Sequence, residues 1–352
     1  MLRILCVLAL AAVAARSQEA TLKVGSDAPP LTIAKWVKAG PVTLEKGKIY
    51  VVEFWATWCV PCVMSMPHLS ELQDTYKDKV TFIGVTGEDQ RGNTLEAVEA
   101  MAQERGPGMG YAVAWDDADK THDAWLRAAG IQGIPCAFVV DASGKIAHIS
   151  LGYPPSLDIP LARIVAGTWD PAKGPEEIKT ALKRRDEILQ MDRRMALDAI
   201  AVFEKDYPEL AWAPVRPSNG AAAMTMPTAK LRLLLLTGRN EEASALGARI
   251  TEKAVKYNSA MGLNEVAWLI VDPEMEVKRD LELAMDAAQK AVELSKGEDG
   301  AILDTLARVY YWKGDLAKAI EIQTKAVEKD PSEPSLQSTL DEYKEKAAAK
   351  KE

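Results

Sequence analysis

Cys59 and Cys62 are the residues best placed to do chemistry in this chain. They lie in Glu53-Phe54-Trp55-Ala56-Thr57-Trp58-Cys59-Val60-Pro61-Cys62, two thiols three positions apart. The apolar, β-branched run from Ile49 to Trp55 reads as a strand. After a short turn the chain reads as a helix, with Pro67 marking a bend farther on. Cys59 then stands at or just before a helix N-terminus, with Cys62 one turn later on the same face. Unpaired amides and the positive end of the helix dipole favour a thiolate on Cys59 over one on Cys62. Thiols so placed titrate at roughly 3.5–7.5 rather than about 8.5. The chemistry is disulfide exchange: Cys59 attacks a substrate disulfide and Cys62 resolves the mixed disulfide. A zinc half-site is the competing reading. It needs two further ligands at matching spacing, and downstream there are only Cys136 and scattered histidines.

The elements that position this pair come next. Glu53 is the one charged residue in an otherwise apolar strand, and a carboxylate there loses hydration unless it is neutral or paired. Burial raises such a group, in documented cases to about 8–9. Gly133-Ile134-Pro135-Cys136-Ala137-Phe138-Val139-Val140 is a second landmark, because an X-Pro opening a strand is a candidate cis peptide. Ser65 to Tyr76 continues the helix of the thiols, with Leu69 and Leu72 inward and His68 expected on its surface. Thr94 to Arg105 is amphipathic and ends at Gly106-Pro107-Gly108. Tyr111 to Trp115 reads as a strand and Lys120 to Ala129 as a helix. Between them, Asp116, Asp117 and Asp119 lack the ligand spacing of a calcium loop, so capping and solvation are expected. Asp141-Ala142-Ser143-Gly144-Lys145 reads as a hairpin turn.

The segment Phe54 to Cys62 resembles the active-site segment of the thioredoxin superfamily, and its Trp-Ala-Thr-Trp-Cys-x-Pro-Cys wording is similar to the TlpA-like branch of extracytoplasmic thiol–disulfide oxidoreductases. Val24-Gly25-Ser26-Asp27-Ala28-Pro29 resembles the entry segment of that branch and of peroxiredoxins. The resemblance covers about residues 22–168 and implies an α/β thioredoxin-like domain. It implies that Glu53 accepts the proton of Cys62 and that Ile134, before a cis Pro135, pairs its backbone with an extended substrate. Trp58, Val60 and Pro61 are assigned with them to the substrate face. A thioredoxin often carries a Lys on the next strand beside the acid; Val80 to Val85 offers Gly84 instead. Thr is more usual at Cys136, which is read as a small buried residue or an accessory thiol. A peroxiredoxin would need Pro at position 52 and Thr or Ser at 56; these are Val52 and Ala56, so peroxidase activity is not expected.

With 352 residues the chain has length for two domains or more. Its formal net charge of −8, without a basic stripe, excludes nucleic acid as an expected partner. Arg3, the apolar run Ile4 to Ala15 and the small residues after it read as a signal peptide over 1–17, which carries Cys6 away with it. The expected location is periplasmic or extracellular, or membrane-anchored where the leader stays uncleaved. In an oxidising compartment the mature thiols are Cys59, Cys62 and Cys136.

The thioredoxin-like domain is assigned to 18–168, and Pro154 to Gly174 to a Pro- and Gly-punctuated crossing. A helical connector and linker follows over 169–228. In it, Glu176 to Lys205 is helical with Leu182, Ile188, Leu189, Met195 and Ile200 as its buried stripe, and Pro208 to Pro227 is a loop. Over 229–352, Leu303 to Tyr310 with Gly314, Ala319, Ala326 and Pro331 resembles a tetratricopeptide repeat. A preceding unit runs through Ala267, Ala284 and Ala291 with Val271 to Asp280 inserted. Gly238 and Ala243 suggest a degenerate unit before it, and Asp341 to Glu352 a capping helix and tail. Such an all-α helical repeat domain implies a protein or peptide partner, the alternative being that it packs on the thioredoxin-like domain or serves dimerisation. The functional expectation is a thiol–disulfide oxidoreductase acting on protein disulfides as a reductase, fed by an upstream dithiol donor and needing no metal or organic cofactor. The alternative is a repeat-based scaffold with an accessory redox domain.

Overall fold

The computed structural model describes residues 20–152, 155–212, 214–215 and 224–349; the leader expected over 1–17 lies outside them. Six strands form one sheet: β1 (Ile33–Lys38), β2 (Ile49–Phe54), β3 (Val80–Thr86), β4 (Ala112–Asp116), β5 (Cys136–Val140) and β6 (Ile146–Leu151). Their order is β1-β4-β3-β2-β5-β6. β2 is thus interior, parallel to β3 and antiparallel to β5. Its residues Tyr50 to Phe54 are all buried, as an apolar interior strand must be.

Helix α1 (Val60–Tyr76) follows β2, and α2 (Leu95–Arg105) follows β3. Gly106 to Met109 tightens into a 3-10 turn where the sequence predicts an end. Cys62, Met66, Leu69 and Leu72 of α1 pack with Val98 and Ala102 of α2 against one face of the sheet. The other face carries Tyr50, Val52, Phe54, Phe138 and Trp125. The helix expected over Lys120 to Ala129 is a short α3 (Lys120–His122) running into a π turn over Asp123 to Arg127. Asp116 is buried and caps it: Oδ1 accepts from the Thr121 amide at 2.9 Å, and Oδ2 from the His122 amide at 2.9 Å. The turn between β5 and β6 closes as expected, with Gly144 at φ +85°.

The sequence expectations need three corrections in the middle of the chain. The crossing assigned to Pro154 to Gly174 contains a helix, α4 (Pro155–Val165), whose Leu157, Leu161 and Ile164 pack on the α1 face of the sheet. Its apolar spacing outweighs Pro160 in its middle. The single stretch from Glu176 to Lys205 is two helices, α5 (Gly174–Leu189) and α6 (Arg193–Asp206), broken where Asp192 caps α6. Met195, expected in the buried stripe, lies in the first turn after that break and is 67% exposed, whereas Ile188 and Ile200 are buried.

Within the stretch Pro208 to Pro227 read as a loop, Pro208–Leu210 is a 3-10 turn and Pro214–Val215 pairs antiparallel with Met224–Thr225. Seven helices follow among the described residues: α7 (Met226–Leu236), α8 (Asn240–Lys256), α9 (Ala260–Val271), α10 (Leu281–Leu294), α11 (Gly300–Trp312), α12 (Leu316–Lys329) and α13 (Pro334–Ala349). Among the described residues no helix is long and apolar enough to cross a membrane. Asp280, Asp299 and Asp315 cap α10, α11 and α12 by accepting from backbone amides. Ala267, Ala284, Ala287, Ala288, Ala307 and Ala319 are fully buried, so paired helices meet closely along small residues. This helical half is docked on the first. Lys253 of α8 pairs with Glu71 of α1, Tyr257 Oη donates to Asp74 Oδ2 at 3.0 Å, and Asn258 Nδ2 donates to the Arg105 carbonyl at 3.1 Å. A Cβ added at Gly108 would stand 2.5 Å from the Tyr257 carbonyl oxygen, so only glycine allows this approach.

Candidate active site

Cys59 is the N-cap of α1, with φ −78° and ψ 91°, and it is disulfide-bonded to Cys62. Its Sγ accepts from the Cys62 amide at 3.3 Å. Pro61 falls in the first turn, where its missing N–H costs no helical bond. Cys59 is 3% exposed and Cys62 is fully buried, while Val60 between them is 67% exposed. Pro61 is exposed and Trp58 half-buried. Ser65 Oγ donates to the Cys62 carbonyl at 2.7 Å. The bend expected at Pro67 does not end the helix, which runs through to Tyr76.

The segment leading into Cys59 is held by a loop that sequence reasoning missed. Asn93, fully buried, accepts at Oδ1 from both the Thr57 amide (2.8 Å) and Thr57 Oγ1 (2.9 Å). Its Nδ2 donates to Thr86 Oγ1 at 2.8 Å and to the Gly87 carbonyl at 2.5 Å. Asp89 Oδ2 accepts from Trp58 Nε1 at 2.6 Å, and the Arg91 guanidinium lies 4.4 Å above the Trp58 ring. In the sequence, Gly87 to Asn93 is only a polar loop; nothing in its composition points at position 57 or 58.

Glu53 is 4% exposed, opposite Gly84 on β3 and Ala137 on β5. Among the described residues its Oε2 has no hydrogen-bond partner, and burial pushes its carboxyl up to about 8. A cavity of about 10 Å³, the space of one water, is lined by Glu53, Ser65, Pro135, Cys136 and Ser150 among others. The Ile134–Pro135 peptide is cis. Register places Phe54 opposite Cys136, so Pro135 stands at the sheet end where β2 gives way to the Cys59 segment. Half-buried Ile134 packs against the clusters on both faces. Cys136 is fully buried on the face with Phe54 and Trp125, opposite to the face of Cys59 and Cys62. Burial first, and the Glu53 charge second, push its thiol up to about 12.

His68 corrects the expectation of a surface residue. It is 8% exposed, with Nε2 2.9 Å from Asp158 Oδ1 and Nδ1 3.9 Å from Glu71 Oε2. Burial works to lower its pKa, but the Asp158 and Glu71 carboxylates outweigh that and raise it to about 9. It is therefore a cation at neutral pH, one link in a chain Asp158–His68–Glu71–Lys253 from α4 through α1 to α8. Asp116, Asp119 and His122 come close enough to suit a cation. Both Asp116 oxygens are already engaged in the cap of α3, and Oδ2 also bonds His122 Nδ1 at 2.6 Å. The cluster needs no ion to account for its geometry.

The Redoxin family model matches residues 23–163. Protein FixW of Rhizobium leguminosarum is 30% identical over 154 residues, covering 42% of this chain and 69% of that protein. The thiol–disulfide oxidoreductase ResA of Geobacillus thermodenitrificans is 28% identical over 145 residues, covering 41% of this chain and 78% of that protein. The solution structure of a thioredoxin-like protein in its oxidised form matches with a TM-score of 0.36 and 22% identity, covering 41% of this chain and 97% of that one. The family match ends at residue 163, at the end of α4, before the helices α5 to α13.

Proposed function

The chain belongs to the Redoxin family of thioredoxin-like thiol–disulfide oxidoreductases, and from that premise we propose that it reduces disulfides of exported proteins through Cys59 and Cys62. The observation that carries the reading is the asymmetry of the pair. Cys59 Sγ sits at the helix N-terminus and accepts an amide hydrogen bond, which stabilises negative charge there. Cys62 is fully buried on the face of the sheet that carries Glu53.

In the proposed cycle the Cys59 thiolate attacks one sulfur of a client disulfide, and the other client sulfur leaves with the bonding pair. Cys62 passes its proton to Glu53, and its sulfur attacks Cys59 Sγ, expelling the second client sulfur. The product is the Cys59–Cys62 disulfide, and a donor dithiol returns two electrons to it. Val60 and Pro61 present an exposed turn to the client, Trp58 forms its edge, and the backbone at Ile134, before cis Pro135, seats an extended client segment.

In this reading residues 1–17 direct export, 18–168 form the redox domain, 169–228 connect, and 229–352 are tetratricopeptide-like repeats holding a protein or peptide partner. Docking of α8 on α1 supports a fixed distance between such a partner and the redox pair. Reduction of insulin disulfides by the full chain, with dithiothreitol as donor, tests the reading. Cys59→Ser is expected to lower the rate at least about 100-fold; a rate equal to that of the unmodified protein refutes it.

A further inference from the structure

Three buried polar atoms beneath the redox pair lack hydrogen-bond partners among the described residues: Glu53 Oε2, Trp55 Nε1 and Tyr111 Oη. They are one acceptor and two donors, and they converge on one place. Glu53 is paired with Gly84 across the β2–β3 ladder, and paired residues project to the same face. Trp55, two residues on, shares that face. A Cβ added at Gly84 would stand 3.0 Å from Trp55 Nε1 and 3.0 Å from Tyr111 Cε2. Cε2 is bonded to the carbon that bears the phenol oxygen. The hydroxyl end of Tyr111 and the indole N–H therefore occupy the space beside Glu53 that the missing side chain of residue 84 leaves open.

A neutral carboxyl tolerates an unbonded Oε2, whereas a buried carboxylate requires donors. We propose that Trp55 and Tyr111 are positioning residues that turn their N–H and O–H to Glu53 when it ionises, making it competent to take the proton of Cys62. The proposal rests on the reading of Glu53 as proton acceptor. In the step itself the Cys62 S–H bond breaks and an O–H bond forms on Glu53, while the sulfur keeps the electron pair and attacks Cys59 Sγ. The two donors face a weaker acceptor from that moment and regain the carboxylate when Glu53 next releases its proton. Around Glu53, among the described residues, β3 contributes Gly84, and β5 contributes Ala137 and Cys136. Ser65 of α1 and Ser150 of β6 line the same small cavity, and the segment before β4 contributes Tyr111. Burial raises Tyr111 well above its ordinary value, and a charge on Glu53 raises it further, so it remains a donor at every working pH.

Tyr111→Phe removes the unpaired hydroxyl and nothing else. The measurement is the pH profile of kcat/KM for insulin-disulfide reduction between pH 5 and 10. Without that donor the limb governed by Glu53 is expected to move up by about half a pH unit, roughly a threefold loss of rate on the limb. Trp55→Phe should move it the same way. In a Glu53→Gln background neither substitution should change the rate further. A Tyr111→Phe profile that superimposes on the unmodified one overturns the proposal, as does an effect that persists in Glu53→Gln. If Glu53→Gln alone leaves the profile unchanged, the role of Glu53 as acceptor fails, and that outcome is distinct from the other two.

Discussion

Glu53→Gln should make this protein more stable while making it a poorer enzyme, and the size of the gain follows from where the carboxyl sits. In the unfolded chain Glu53 ionises at its ordinary 4.5, and in the fold burial holds it protonated up to about 8. Between those values the native state binds one proton more than the unfolded state, so stability falls as pH rises. The loss is about 1.4 kcal/mol per pH unit. Over the interval from 4.5 to neutrality it accumulates to about 3 kcal/mol, and it levels off above the folded value. Glutamine does not titrate, so the stability of Glu53→Gln relative to the unmodified protein should rise by that amount across the interval. His68 also titrates, but it does so in both proteins and cancels from the difference. Urea unfolding of the oxidised protein at pH 5, 6, 7 and 8 reads the difference directly. Two stability curves that run parallel across this range would show that Glu53 ionises freely in the fold, and the argument from burial would be wrong.

Two perturbations probe the charge chain behind the site. Lys253→Met leaves Glu71, largely buried, without its partner across the two halves, and should cost about 2 kcal/mol in a urea melt; an unchanged melt refutes the pairing. His68→Leu leaves the buried Asp158 side chain unpaired and should cost about 3 kcal/mol. Because the fold raises His68 from 6.5 to about 9, its stabilisation is fully present below pH 6.5 and is lost as pH rises through 9. Chemical denaturation at pH 6 and pH 10 should therefore show a gap between the two proteins that narrows at the higher pH; a constant gap would rule out a charged His68.

Much of the first half was legible because its signals are local. The strand before the thiols, the helix after them, the cis peptide at Pro135 and the turn at Asp141 to Lys145 each follow from a few adjacent residues whose backbone options are narrow. The boundary of the helix at Leu95–Arg105 follows from Thr94 and from the Gly-Pro-Gly after it. The errors arose where two local signals compete. Proline at 160 argued against the helix Pro155–Val165, whereas burial of Leu157, Leu161 and Ile164 on the sheet decides for it. An unbroken charged pattern argued for one long helix, whereas the cap at Asp192 makes two.

What stayed hidden is the pairing of residues far apart in the chain. His68 has the sequence surroundings of a surface residue, and it is Asp158, ninety positions away, that together with Glu71 makes it a buried cation. The Asn93 clamp on Thr57 spans 36 positions and the Lys253 contact with Glu71 spans 182. These long-range polar contacts have no periodicity to betray them, because each depends on one side chain meeting one other. They also share a direction. Asn93 and Asp89 hold the segment entering Cys59, whereas the His68 chain holds the helix two turns beyond Cys62 and ties it to α8. The active-site helix is thereby held just before its N-terminus and again at its middle by groups outside the Cys-X-X-Cys motif. A change in the helical half that disturbs Lys253 should thus reach the redox pair through α1 itself rather than through the sheet.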